Sequence, residues 1–159
     1  MRGAVGEWWN SWRAWGVVQP MATKELTVDT HDSTVADGIV LIDFWAQWCG
    51  PCRQFAPVYE KVSEANPDVT FAKVDTEAEP DLAGRYGISS IPTLIIYRDG
   101  IPVFGQPGAV PQPELENLLE QVRGLDMDDV RAHFAEQQAS EAAERATAAR
   151  GPASDPTSF

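Results

Sequence analysis

The run IVLIDFWA, residues 39 to 46, restricts this chain more than any other stretch. It is apolar, β-branched and aromatic throughout, broken only by Asp43. A strand with one wet face alternates apolar and polar residues; a run like this suits a central strand covered on both faces. VTFAKVD (69 to 75) reads as a second buried strand and TLIIY (93 to 97) as a third. Between the first two, Phe55, Val58, Tyr59 and Val62 recur at i, i+3, i+4 and i+7, so one helix face is apolar. Pro57 inside that helix is expected to kink it. PDLAGRYG (80 to 87) reads as a short helix, with Pro80 in its first turn and Gly87 as its stop.

RDG (98 to 100) is a hairpin turn, and IPVFG (101 to 105) returns beside TLIIY, with Pro102 marking an edge strand. PELENLLEQVRG (113 to 124) is a helix with Leu115, Leu118, Leu119 and Val122 on one side. KELTV (24 to 28) is a short strand candidate upstream. From residue 39 the order is therefore β, helix, β, helix, β, β, helix. A βαβ half followed by a hairpin half predicts an α/β fold with a mixed sheet and helices on both faces.

At 159 residues the chain has room for one domain and some tail. The domain is expected at 21 to 124. An added helix follows at 125 to 138, capped by Asp126 and docked by Met127, Val130 and Phe134. Residues 139 to 159, rich in Ala, Glu and Arg and then in Pro and Ser, read as a solvated helix end running into a disordered tail. Residues 1 to 20 carry Trp8, Trp12 and Trp15 at helix spacing. They read either as an amphipathic segment or as an upstream extension, disordered or mis-started, outside a domain that opens at Met21. The fold is expected not to include them.

The formal net charge is -12, which repels nucleic acid and anionic membrane surfaces. No run is apolar enough to span a bilayer. Glu7, Asn10, Ser11 and Arg13 interrupt what would be the core of an export signal. A cytoplasmic, monomeric protein is expected, in a compartment that keeps thiols reduced. A lone close cysteine pair there is more often catalytic or metal-binding than structural.

Both cysteines stand in FWAQWCGPCRQ, residues 44 to 54. A zinc site needs four ligands, and the two histidines, His31 and His133, are far apart. A disulfide enclosing two residues shortens the unfolded chain very little, so a staple explains little either. A redox switch explains the surroundings. Cys49 falls where a buried strand ends and a helix begins. Unpaired N–H groups and the helix dipole there favour thiolate over thiol. Pro51 suits the first helical turn. Cys52, one turn in, is expected to be the more buried thiol and to resolve the mixed disulfide. Asp43 either points to solvent at a strand end or, as its apolar neighbours favour, is buried with its pKa raised. A buried Asp43 could take the Cys52 proton, directly or through a water. Lys73 is either its partner on the adjoining strand or an exposed residue with its stem along the surface.

FWAQWCGPC, with Asp43 upstream and SSIPT (89 to 93) ahead of the hairpin, resembles the thioredoxin family over roughly residues 24 to 124. The resemblance implies a thioredoxin fold of about five strands flanked by helices, here with a C-terminal helical extension. It implies a protein-disulfide reductase that maintains cell redox homeostasis: Cys49 as nucleophile, Cys52 as resolving thiol, and Asp43 as proton acceptor. Gly50, Pro51 and Lys73 would tune the redox pair. Trp48, Ile91, Pro92 and Gly108 would bind substrate, with the Ile91–Pro92 bond cis and the Ile91 backbone pairing with an extended client. No bound cofactor is implied. The Cys49–Cys52 disulfide is itself the redox group, recycled by an NADPH-dependent thioredoxin reductase, and disulfide-containing clients are the other partners. Arg53 stands where the family often has Lys, and Pro107 precedes Gly108, which would stiffen that loop. A binding module of the same fold and an exported oxidant are the alternatives; the intact WCGPC disfavours the first, and the second would require an export signal.

Overall fold

The computed structural model describes residues 22–151. The expectations for residues 1 to 20, and for the last eight residues of the tail, lie outside that range. Five strands, Thr23–Glu25 (β1), Ile39–Trp45 (β2), Thr70–Asp75 (β3), Thr93–Arg98 (β4) and Ile101–Pro107 (β5), form one sheet in the order β1-β3-β2-β4-β5. β3 pairs parallel with β1 and β2, whereas β2–β4 and β4–β5 are antiparallel, so the sheet is mixed. The apolar run from residue 39 forms the middle strand. Its residues 40 to 44 are all buried, as a strand covered on both faces must be.

The period of two along β2 sorts its side chains between two cores. Leu41 faces the helices Gly50–Ala65 (α2) and Gln112–Arg123 (α4), packing with Phe55, Tyr59, Phe71, Leu115 and Leu119. Val40, Ile42 and Phe44 face the other way, against Val35 of Val28–Val35 (α1) and Leu82 of Pro80–Arg85 (α3). Asp43 shares the parity of Leu41 and so belongs to the α2 face.

Sequence reasoning missed α1. VDTHDSTV offers only His31 and Val35 to the core, too little for a legible stripe. Local chemistry starts it instead: the Thr27 N–H donates to Thr30 Oγ1 (3.1 Å). The strand expected at 24 to 28 accordingly stops at Glu25, and Leu26 is buried beyond it. Inside α1, His31 Nε2 bonds the Tyr86 hydroxyl, which is 2.7 Å from that of Tyr97. This polar chain ties α1 to β4 across the second core.

The last helix, Met127–Ala149 (α5), begins as expected at Asp126, whose carboxylate accepts from the N–H groups of Asp128 (2.9 Å) and Asp129 (3.4 Å). It runs past the boundary expected at residue 138, and helical geometry continues through Ala149, so the solvated helix end takes in nearly all of the Ala-rich stretch. Alanine has the highest helix propensity, and the Ala-rich composition sustains the helix without a buried face. Arg98 fixes the joint before it, its Nη1 donating to the carbonyls of Val122 (2.6 Å), Arg123 (3.1 Å) and Leu125 (2.9 Å). Among the described residues no helix is long and apolar enough to cross a membrane.

Candidate active site

β2 ends at Trp45 and α2 begins at Gly50, so the turn between them delivers the cysteines to the C-terminal edge of the sheet. Cys49 is the N-cap of α2, with extended backbone (φ -81°, ψ 113°). Its sulfur accepts the Cys52 N–H at 3.2 Å, the place an N-cap oxygen usually takes. Pro51 occupies the first turn, where its missing N–H leaves no bond unmade. Gly50 and Pro51 thus form the turn that closes the pair. The two sulfurs are joined as a disulfide, with Cα atoms 5.3 Å apart.

Both cysteines are buried residues. As whole residues, Cys49 is 4% exposed and Cys52 3% exposed. They differ in position along the helix: one caps it, and the other sits inside its first turn.

Ala46, Trp45 and Ile91 pack around the sulfurs. The Ile91–Pro92 peptide is cis, and the Ile91 carbonyl oxygen lies 3.7 Å from Cys49 Sγ. With both sulfurs in the disulfide there is no thiol proton between them, so this is a contact rather than a hydrogen bond. The Gly108 N–H donates to the Pro92 carbonyl at 2.7 Å, holding the end of β5 against the same loop. Gly108 has φ +101°, a conformation that favours glycine, and a Cβ there would meet nothing within 4 Å. Backbone conformation, not crowding, explains that glycine.

Trp48 is 68% exposed, an unusual position for so large an apolar ring. Its indole N–H donates to Glu77 Oε1 at 2.9 Å. Glu77 is itself held, its backbone N–H donating to Asp75 Oδ1 (2.9 Å). Trp48, Ile88 and Ile91 line an open cleft of about 320 Å³ beside the cysteines. Sequence reasoning missed Glu77, because nothing in TEAEP distinguishes one acidic residue from the next.

Asp43 is fully buried, and neither carboxylate oxygen has a hydrogen-bond partner. Desolvation pushes its pKa up to about 7, against a smaller downward pull from the Lys73 ammonium. Lys73 is the register partner of Asp43 across β2–β3. It is half-buried, and its Nζ lies 4.8 Å from the centroid of the Trp45 ring. Lys73 is therefore not fully exposed, but its ammonium lies over Trp45 and makes no hydrogen bond to the Asp43 carboxylate. The Trp45 indole N–H is buried without an acceptor.

A disulfide that caps a helix at the edge of such a mixed sheet, with a buried carboxylate on the strand feeding it, defines a thiol–disulfide oxidoreductase. A thioredoxin family model matches residues 22–121. The chain is 61% identical over 119 residues to "Putative thioredoxin 2" of Streptomyces coelicolor, covering 74% of this chain and 89% of that protein. It is 41% identical over 97 residues to a thioredoxin of Listeria monocytogenes, covering 60% of this chain and 94% of the relative. Among solved structures it resembles the Malassezia sympodialis thioredoxin Mala s 13, at a TM-score of 0.58 and 33% identity over 62% of this chain and 91% of that one. The chain belongs to the thioredoxin family, and it is a protein-disulfide reductase of thioredoxin type, with the Cys49–Cys52 pair as its redox group.

Proposed function

We propose that the chain reduces client disulfides by dithiol–disulfide exchange through Cys49 and Cys52. The observation that carries this reading is the Cys52 N–H directed at Cys49 Sγ at the mouth of α2. A donor and a helix N-terminus facing one sulfur stabilise its thiolate, the species that attacks. In the reduced protein the Cys49 thiolate attacks one sulfur of a client disulfide. A Cys49–client bond forms, and the other client sulfur leaves as thiolate and takes up a proton. Cys52 then gives its proton to the Asp43 carboxylate and attacks Cys49 Sγ. The Cys49–client bond breaks, releasing the second client thiolate. Two electrons have moved to the client, and the Cys49–Cys52 disulfide remains.

Asp43 suits the acceptor role because its pKa of about 7 lies near the working pH, where a group can both take and return a proton. Lys73, opposite it in register, holds that value from rising further. Trp48, Ile91, Pro92 and Gly108 form the client-binding rim, and the Ile91 backbone offers an edge to an extended segment. The oxidised pair is returned to the dithiol by an NADPH-dependent thioredoxin reductase. The setting is the cytoplasm and the role redox homeostasis, performed as a monomer. The charge of -12 disfavours nucleic acid and anionic membranes as partners.

Insulin reduction, coupled to NADPH through thioredoxin reductase, tests the reading. Steady NADPH consumption that depends on both cysteines is expected. In addition, Cys52→Ser should accumulate a client mixed disulfide on Cys49. A protein that turns over without Cys49, or a Cys52→Ser variant that traps nothing, contradicts the scheme.

A further inference from the structure

Tyr59 lies two turns beyond Cys52 on the buried face of α2 and is fully buried. Its ring belongs to the core, with ring centroids 5.1 Å from Phe71 and 5.5 Å from Phe55. A phenylalanine would serve such packing. The hydroxyl requires a separate explanation, because a buried O–H needs a partner. It reaches two backbone carbonyls, Leu41 O at 3.0 Å and Ala72 O at 2.7 Å, sharing one hydrogen between them.

Those carbonyls belong to β2 and β3, the strands that carry Asp43 and Lys73. Leu41 lies two residues before Asp43 on the same face, and Ala72 immediately precedes Lys73. Among the described residues no other α2 side chain hydrogen-bonds to β2 or β3; Glu60 bonds Ala22 and Thr23 instead, at the sheet edge. Burial first, and the nearby Asp43 charge second, raise the Tyr59 phenol well above its usual range, so it stays protonated.

α2 needs such a tie. Pro57 falls between Cys52 and Tyr59, and its missing N–H removes the bond to the Arg53 carbonyl. Apolar contacts fix how deep the helix sits but are non-directional. A hydrogen bond is directional and sets where the helix lies along the strands.

We propose that Tyr59 is a positioning residue for the resolving step: its hydroxyl pins the Cys52 helix to the strands bearing Asp43 and Lys73, setting the separation across which Cys52 gives up its proton. The inference rests on Asp43 as that proton's acceptor. Proton transfer depends on heavy-atom separations of about 2.6–3.2 Å, directly or through one water. Loss of the tie therefore acts on resolution and spares the attack by Cys49, which lies at the cap.

The test uses Tyr59→Phe, which keeps the ring and removes the hydroxyl. Stopped-flow measurement on the full chain with a peptide disulfide separates the two steps, formation being read in a Cys52→Ser background. Resolution at pH 7 should slow about fivefold while formation changes less than about twofold. Asp43→Asn should slow resolution too, and the double variant should be no slower than Asp43→Asn alone. Equal slowing of both steps, no slowing of resolution, or full additivity with Asp43→Asn overturns the proposal. Partial unfolding lowers both steps together, so the ratio still decides. If Asp43→Asn leaves resolution unchanged, the acceptor reading falls and takes this inference with it. If Asp43→Asn slows resolution and Tyr59→Phe does not, this inference alone falls.

Discussion

At the C-terminal end of β2, groups from three segments meet around one disulfide, Ala46 after the strand, the first turn of α2 and Ile91, and Gly108 after β5 holds the Ile91–Pro92 loop in turn. Along α5 the opposite holds. Met127, Val130 and Phe134 meet the domain, and every residue from 135 to 149 is exposed. The first region is held by long-range contacts, so single changes there should propagate. The second is held by helix propensity and by exposed pairs such as Arg145–Glu141 at 3.8 Å, which contribute little. The contrast predicts a steep gradient of mutational effect from one region to the other.

Cys49→Ser should stand at the top of that gradient, with insulin reduction falling about a thousandfold or more, since no other sulfur caps the helix. Comparable activity in that variant would remove Cys49 from the chemistry.

Asp43→Asn comes next and carries a pH signature. The wild-type resolving rate should climb as pH rises through about 7, where Asp43 becomes the carboxylate that accepts the proton. The variant should be about tenfold slower at pH 7 and lack that rise. Stability should move in the opposite sense. The folded-state pKa of Asp43 lies above the ordinary aspartate value of 3.8, so between 3.8 and about 7 the native state binds more protons than the unfolded chain. Its burial therefore weakens the fold progressively as pH climbs through that window, by up to about 4 kcal/mol at pH 8. Urea unfolding should find Asp43→Asn more stable than wild type at pH 8, with the gap closing toward pH 4. A gap of constant size would place the carboxyl in water.

Glu77→Ala should be milder. It releases the Trp48 indole, so KM for a protein client should rise about threefold with kcat little changed. An unchanged KM would mean Trp48 keeps its pose unaided.

Truncation after residue 138 should be the smallest change, with insulin reduction within about 1.5-fold of the full chain and Tm within about 2 °C. A large loss would show that the exposed part of α5 is not separate from the domain.

The same contrast governs what could be read from sequence. β2 and β3 are legible because burial on both faces leaves a continuous apolar run, the apolar face of α2 because burial imposes a helical period, and the CGPC spacing because helix N-terminus chemistry needs it. α1 left almost no trace, since eight residues with two buried side chains carry no periodicity. The extent of α5 is only partly legible for the opposite reason: alanine favours helix without needing a partner, so no apolar stripe marks where such a helix ends. Within the site, Tyr59 was read as one more core ring, although a hydroxyl on an apolar helix face already signals a required partner. Glu77 and the Arg98 clasp on three carbonyls depend on where distant loops end, and that is a property of the fold.

The central claim is that position at the cap of α2 makes one of two buried cysteines the nucleophile. Iodoacetamide alkylation of the reduced protein at neutral pH, with the modified cysteine identified by peptide mass, tests it most directly. Cys49 should be alkylated selectively and faster than a thiol in an unstructured peptide. Equal modification of Cys49 and Cys52, at no more than the peptide rate, would contradict it.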